Sequence, residues 1–175
     1  MKSTFVQRGS RHPRIIYAGT VPLSHELIMI HFEGEKTFPL PVSEVAAKLS
    51  DAGFLANCLP DSEVTEATPD KAAWKIRPKL AFLTGSLNVE MTKTAHEVGK
   101  SVTYKVFAKA MGASSTVNAT LNFKDAEGGT AVHWTGDLVE VTGLLKLVPK
   151  GLLQGSAQKV IDDVWASVGA KLSAS

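Results

Sequence analysis

The stretch IHFEGEKTFPLPVSEVAAKLSDAGFLANCLP, Ile30 to Pro60, decides the fold class because it places two short helices directly after one strand. Its first nine residues alternate well enough between apolar and polar side chains to predict a strand. Ser43 is predicted to cap the first helix and Asp51 the second, which Pro60 ends. The opening of the chain therefore predicts an α+β protein.

A long tract of strand patterns follows the two helices and extends to Val141. Pro69-Asp70, Gly99, Gly112 and Gly128-Gly129 separate neighbouring patterns, and such residues form tight turns. Short connections of this kind join antiparallel strands, so the pattern predicts a meander. Arg77-Pro78 is predicted to interrupt it before a strand that starts near Leu83. With the first strand, the sequence predicts a strongly curved antiparallel sheet of about seven strands.

The final predicted element is a long amphipathic helix. Apolar residues recur in it at spacings of three and four: Leu153, Ala157, Ile161, Val164, Val168 and Leu172. A strongly curved sheet leaves its concave face open, and this helix is the only predicted element long enough to fill it. The gap between sheet and helix is predicted to hold water, side chains or a ligand.

The stretch GLLKLVPKGLLQGSAQKV, Gly143 to Val160, leads into this helix. Pro149 costs about 3 kcal/mol in a helix interior, and Gly151 and Gly155 weaken the helix further. We therefore expect Leu144 to Val148 to form a short turn or distorted helical segment at the mouth of the gap, with Lys146 and Lys150 beside it. This segment is too short to be a membrane anchor, but it fits a lip that touches a membrane.

Length and composition indicate one soluble globular domain, with 175 residues, 44% hydrophobic residues and a net charge of +2. Residues 1–27 are polar and aperiodic, and we predict a disordered arm followed by a single domain over residues 28–175. A translation start at Met29 would account for the arm, and we treat that as a hypothesis. No basic stripe with interleaved aromatic residues is present, which disfavours nucleic-acid binding. The single cysteine and the lack of a secretory signal favour a cytoplasmic location.

Residues that could carry catalysis are few and scattered, so no catalytic, metal or cofactor site is predicted. The chain has no phosphate-binding loop, no Cys-x-x-Cys and no His-Glu-x-x-His motif. Cys58 is interpreted as a buried packing thiol, Asp162-Asp163 as a solvated helix face, and His133 as an outward strand residue if Trp134 points inward. Glu90 and Glu140 lie within predicted strands and leave two alternatives open. Each either faces solvent or anchors a ligand in the cavity.

Three blocks of the sequence resemble the family of the carbon monoxide dehydrogenase G-subunit. They are FEGEKTFPLPVSEVAAKLSDAGFLANCLPD (32–61), SSTVNATLNF (114–123) and GGTAVHWTGDLVEVTGLLKLVPKGLLQGSAQKVIDDVW (128–165). The resemblance implies the START-like (SRPBCC) helix-grip fold, which is shared with lipid-transfer domains, polyketide cyclases and plant pathogenesis-related proteins. Asp61 stands where the family usually has glycine. Arg77 precedes Pro78 at a position where the family commonly has a Gly-Pro pair.

The resemblance also implies a function without catalysis. The expected role is to bind a hydrophobic small molecule, lipid or quinone-like ligand beside a molybdenum-containing hydroxylase, with peripheral contact at the inner membrane face in some members. A protein adaptor without a ligand and a cyclase- or hydratase-type enzyme are the alternatives. The predicted pocket walls are Leu55, Leu59, Trp74, Leu87, Tyr104, Val106, Trp134, Leu145, Leu153, Ala157 and Ile161.

Overall fold

The first described strand and the helices after it lie where the sequence predicts them. The computed structural model describes residues 30–80, 82–83 and 85–174; the predicted arm over residues 1–27 and the proposed start at Met29 lie outside the described residues. The three elements are β1 (Ile30–Phe38), α1 (Val42–Leu49) and α2 (Ala52–Cys58). The predicted strand and pair of short helices are therefore confirmed.

The two helix starts differ in how they satisfy their first backbone N–H groups. The Asp51 cap is confirmed, because its Oδ1 accepts a hydrogen bond from the Phe54 N–H at 2.9 Å. The Ser43 cap is wrong. Pro41 precedes α1, and its carbonyl accepts hydrogen bonds from the backbone N–H groups of Glu44 and Val45, which places Ser43 inside the first turn.

Beyond α2, the described residues form six further strands, which join β1 in a single sheet. They are β2 (Ser62–Ala67), β3 (Lys71–Ile76), β4 (Leu87–Glu97), β5 (Ser101–Ala110), β6 (Ala113–Ala126) and β7 (Gly129–Gly143). The spatial order is β1-β7-β6-β5-β4-β3-β2, and every pair is antiparallel. The order places β1 beside β7, so chain segments about 100 residues apart share one end of the sheet. The seven-stranded meander is confirmed.

Local backbone features curve the sheet and set its strand ends. The ladders shift register at Val64/Glu66, Lys93/Ala95 and Thr116/Val117, and bulges of this kind bend the strand that carries them. The predicted start of β4 near Leu83 is wrong. The backbone N–H of Leu83 donates instead to the carbonyl of Leu80 in a separate turn, and the strand begins four residues later.

Pro149 divides the segment after β7 as predicted. A single 3₁₀ turn occupies Leu144–Leu147, and α3 (Lys150–Ser173) starts directly after the proline. Gly151 and Gly155 lie in the first two turns of α3, which runs through both without a break. An interior glycine costs about 1 kcal/mol, which a 24-residue helix tolerates.

The helices cover the concave face of the sheet unequally. The Tyr104 hydroxyl donates to the Leu49 carbonyl at 3.0 Å, which fixes the α1–α2 corner on the sheet. Near the end of α3, Val168 and Leu172 are fully buried, and Lys171 donates to the backbone carbonyl of Asn57 in α2. In the first half of α3, only Leu153 is buried. The terminal helix is therefore held mainly at its C-terminal end.

Candidate functional site

Apolar side chains in the middle of the concave face are only half-buried. Strand register places Val106 of β5 between Met91 and Val117, on the same face as Tyr104. The half-buried residues on this face of the sheet include Leu87, Val106, Ala108, Val117 and Ala119. Because this face points toward the helices, their partial exposure means that α3 leaves apolar surface accessible beneath it.

Two glycines on this face have opposite surroundings. Gly34 of β1 lies opposite Trp134, and a Cβ added at Gly34 would lie 2.8 Å from Cζ2 of the indole ring. Gly136 lies between Phe32 and Ala119 and is buried, yet an added Cβ would meet no described heavy atom within 4 Å beyond its chain neighbours. We call the empty region over that residue the Gly136 space.

Trp134 is separated from Gly136 by one position on β7 and faces the same side of the sheet, with its indole ring placed over Gly34 of β1. Its indole ring packs against Trp165 of α3 with centroids 6.0 Å apart, and Trp165 in turn packs against Phe38 at 6.3 Å. Trp134 is 7% exposed, and within the described part of the chain its Nε1 has no hydrogen-bond partner. The concave face therefore combines apolar side chains with one buried donor that has no partner among the described residues.

The structure brings all the sequence-predicted wall residues into one hydrophobic cluster. Those that are buried are Trp74, Tyr104, Trp134, Leu145 and Leu153. Those that are half-buried are Leu55, Leu59, Leu87, Val106, Ala157 and Ile161. Tyr104 differs from the others, since its hydroxyl is already paired with the Leu49 carbonyl. Contact between these residues and a ligand stays a prediction.

The fold and this clustering agree with a match to a known family. A family model for the carbon monoxide dehydrogenase G-subunit (CoxG) matches residues 34–173. The chain belongs to the CoxG family. No curated protein sequence matches it.

Solved structures similar to this CoxG-family chain show the same helix-grip fold. A conserved protein from Geobacillus kaustophilus has a TM-score of 0.71 at 16% identity and covers 82% of this chain and 95% of its own. Protein Ms6760 from Mycobacterium smegmatis has a TM-score of 0.62 at 14% identity, covering 86% and 95%. Ara h 8.0201 has a TM-score of 0.59 at 14% identity, covering 84% and 99%.

Sequence reasoning missed three residues that shape the site. Gly34 receives the Trp134 ring, Gly136 leaves the space open, and Trp165 covers the ring from α3. A glycine inside a strand often marks a close approach of another group, so Gly34 and Gly136 carried a usable signal. Trp165 lies four residues after Ile161, on the predicted inner face of the helix.

The carboxylates considered as ligand anchors face away from the concave side. Glu90 lies on the convex face and forms an ion pair with Lys71 at 3.3 Å, and Glu140 is exposed on that same face. The alternative in which either one anchors a ligand in the cavity is therefore wrong. His133 also lies on the convex face while Trp134 points inward, as strand alternation predicts.

The remaining candidates for chemistry have structural roles. Cys58 is buried, and burial raises the pKa of its thiol, which makes it a poor nucleophile at neutral pH. Asp163 pairs with Lys159 at 2.8 Å on an exposed face of α3, and Asp162 accepts a hydrogen bond from Gln158. Over residues 30–80, 82–83 and 85–174, no group of three or more His, Cys, Asp or Glu side chains is arranged to hold a metal ion.

A cleft of about 290 Å³ lies beside the start of α3. Its apolar lining includes Leu80 and Phe82 from the β3–β4 connection and Leu152 from the helix, and Gly151 and Gly155 leave room on the helix side. The predicted mouth was the Leu144–Val148 segment, but the cleft lies further along, over the first two turns of α3. Of the helices in the described residues, none has the length and apolar character needed to cross a bilayer.

The contrast between the two glycines predicts opposite effects of one substitution. Gly34→Ala should lower the free energy of unfolding by about 1–3 kcal/mol, since the new methyl group meets the Trp134 ring. Gly136→Ala should be neutral or stabilising by up to about 1 kcal/mol, because it enters empty space and restricts the unfolded chain. Urea denaturation followed by circular dichroism measures both. Equal losses at the two positions would show that the Gly136 space is filled.

Proposed function

We propose that this protein binds an apolar small molecule on its concave face beneath α3 and has no catalytic activity of its own. The observation that carries the proposal is the half-buried apolar surface around Val106 and Val117, together with the buried empty space over Gly136. A protein that needed only stability would close-pack these positions. Membership of the CoxG family, named for an accessory subunit, supports a binding role.

The chemistry of the walls favours a lipid or quinone-like ligand. Side chains around the site are mainly Leu, Val, Ala and Trp, which suit a hydrocarbon body. Glu90 and Glu140 lie on the far side of the sheet, so neither carboxylate is placed to accept or donate a proton at the ligand. This arrangement favours binding over a cyclase or hydratase reaction, which would need an acid–base pair converging on the substrate.

A direct test is uptake of an environment-sensitive fluorescent lipid or quinone analogue by purified, delipidated protein. The proposal predicts saturable uptake with one probe bound per chain, and displacement by an unlabelled analogue. Uptake that fails to saturate, or a complete lack of uptake, would contradict ligand binding and leave the adaptor alternative.

We further propose a cytoplasmic carbon monoxide dehydrogenase-type molybdenum hydroxylase as the protein partner. The name of the CoxG family supports this proposal. An accessory protein that carries an apolar molecule would move it between the hydroxylase and a membrane. Co-purification of the two proteins from the native host, with and without delipidation, tests the partnership; a hydroxylase that never retains this chain would contradict it.

One end of the molecule supports contact with the inner membrane face. Met111 in the β5–β6 hairpin is 94% exposed, and Leu144 and Leu147 in the 3₁₀ turn are 60% and 80% exposed. We call these three residues the apolar tip; the backbone N–H of Leu144 donates to the Gly112 carbonyl at 2.9 Å, which joins the turn to the hairpin. The exposed lysines near the tip suit an anionic bilayer: Lys109, Lys146 and Lys150.

Loss of the apolar tip should release the protein from vesicles. Met111→Asp and Leu147→Asp should each weaken binding to vesicles of mixed neutral and anionic phospholipids by about tenfold or more, since a buried side chain of this size contributes about 1.5–3 kcal/mol. Val98→Asp is the matched control, because Val98 is 84% exposed in the hairpin at the opposite end of the sheet. Equal sedimentation of all three variants with vesicles would contradict contact through the tip.

A further inference from the structure

A large apolar side chain is exposed on the convex face of the sheet. Phe107 of β5 is 40% exposed, and its partners on the neighbouring strands are Glu90 and Thr116. The residues two positions before and after it on β5, which share its face, are lysines: Lys105 and Lys109. A single exposed apolar residue is common on a protein surface, so the shape and charge around Phe107 decide whether it has a role.

The sheet surface beside the Phe107 ring is hollow. Ala73 of β3 lies in the same cross-strand row, on the far side of Glu90, and its short side chain does not fill the space between longer neighbours. The hollow measures about 230 Å³, and its walls include Thr65, Asn88 and Phe107. We call it the Phe107 hollow. It is smaller than the about 300–1,000 Å³ typical of small-molecule sites, but it can receive one anchoring side chain of a protein partner.

The charges that line the Phe107 hollow leave two ammonium groups available to a partner. Lys75 and Lys109 both line it and are exposed, and neither forms an ion pair with another described residue. The carboxylate that lines it, Glu90, is already paired with Lys71 at 3.3 Å. Glu63 lies opposite Lys75 on β2 without forming an ion pair with it. The complementary surface is an apolar side chain flanked by carboxylates.

We propose that the Phe107 hollow docks an acidic segment of the hydroxylase partner, with one apolar side chain of that segment against Phe107 and its carboxylates beside Lys75 and Lys109. The inference rests on the proposed partner and specifies the surface that it contacts. A nucleic acid fits less well, because the carboxylates of Glu90 and Glu140 on the same face would repel its phosphates. Docking on the convex face leaves the concave face and the apolar tip uncovered, so the same chain can hold the hydroxylase at a bilayer.

Binding of the molybdenum hydroxylase, purified from the native host, to immobilised protein without vesicles tests the docking surface. Phe107→Ser should weaken binding by about tenfold or more, because buried aromatic anchors are typical hot spots. Lys75→Glu should weaken it by about threefold or more, and the loss should shrink as the salt concentration rises. Val98→Ser and Lys124→Glu are the matched controls; both positions are exposed at the opposite end of the sheet, so these variants should bind like the wild type.

Carbodiimide cross-linking of the wild-type complex gives a second readout that needs no variant. The reagent joins a lysine amine to a carboxylate in contact with it, so mass spectrometry should find Lys75 or Lys109 linked to Asp or Glu of the hydroxylase. Links only through other lysines, or equal binding by Phe107→Ser and the wild type, would overturn the docking surface and leave the proposed partner intact. A dimer of this chain that Phe107→Ser dissociates would assign the Phe107 hollow to a second copy and also overturn the inference. A wild type that never retains the hydroxylase would overturn both the inference and the proposed partner.

Discussion

Val168→Asp is expected to unfold most of the protein or to lower its free energy of unfolding by about 3–5 kcal/mol. Val168 is 1% exposed on the inner face of α3, and an aspartate there would be a buried charge without a partner. Such a loss is a large part of the 5–15 kcal/mol that typically holds a domain together. Urea denaturation followed by tryptophan fluorescence gives the value.

Ala166→Asp supplies the matched control for Val168→Asp. Ala166 is exposed on the same helix, so the same aspartate should change stability by less than about 0.5 kcal/mol. Ile161→Asp should fall between the two, because Ile161 is half-buried in the less tightly held part of α3. Equal effects of all three substitutions would contradict the assigned inner face of the helix.

Ala157→Trp is expected to abolish ligand uptake and to keep the fold. Ala157 lies on the inner face of α3, half-buried between Leu153 and Ile161, so a large ring at this position would extend into the space under the helix. Filling a real void should cost little stability, whereas the same ring in a close-packed core would cost about 1–3 kcal/mol or more. Fluorescent lipid uptake and the melting temperature are measured on the same samples.

Ala166→Trp adds the same ring to the solvent-facing side of α3 and should leave uptake and stability unchanged. Two results would contradict a pocket beneath the helix. One is undiminished uptake by Ala157→Trp. The other is a large loss of stability in Ala157→Trp with no uptake by the wild type.

The parts of the fold that depend on local pattern could be predicted from the sequence. The Asp51 cap acts within three residues, and Pro149 ends the 3₁₀ turn through its own geometry. The Ser43 cap failed because the helix begins two residues earlier, with Pro41 as its N-cap. Asp61, the one described non-glycine residue with positive φ (57°), lies where the family usually has glycine.

The site was harder to predict because its properties depend on partners distant in the sequence. Trp134 was predicted as a pocket wall, but only the register shows that Gly34, 100 residues earlier, receives its ring. The sequence could not show that Tyr104 differs from the other predicted wall residues, because its hydroxyl is paired with the Leu49 carbonyl, 55 residues away in the sequence. The room over Gly136 likewise depends on how elements distant in the sequence pack above it.

Native mass spectrometry of the protein purified from its own host tests the central claim most directly, namely that the space between the sheet and α3 holds an apolar molecule. We expect one non-covalent adduct per chain, extractable into organic solvent, present in the wild type and in Ala166→Trp and missing from Ala157→Trp. An adduct of equal abundance in all three proteins would contradict the assigned site, and a bare chain in all three that also takes up no probe would contradict ligand binding.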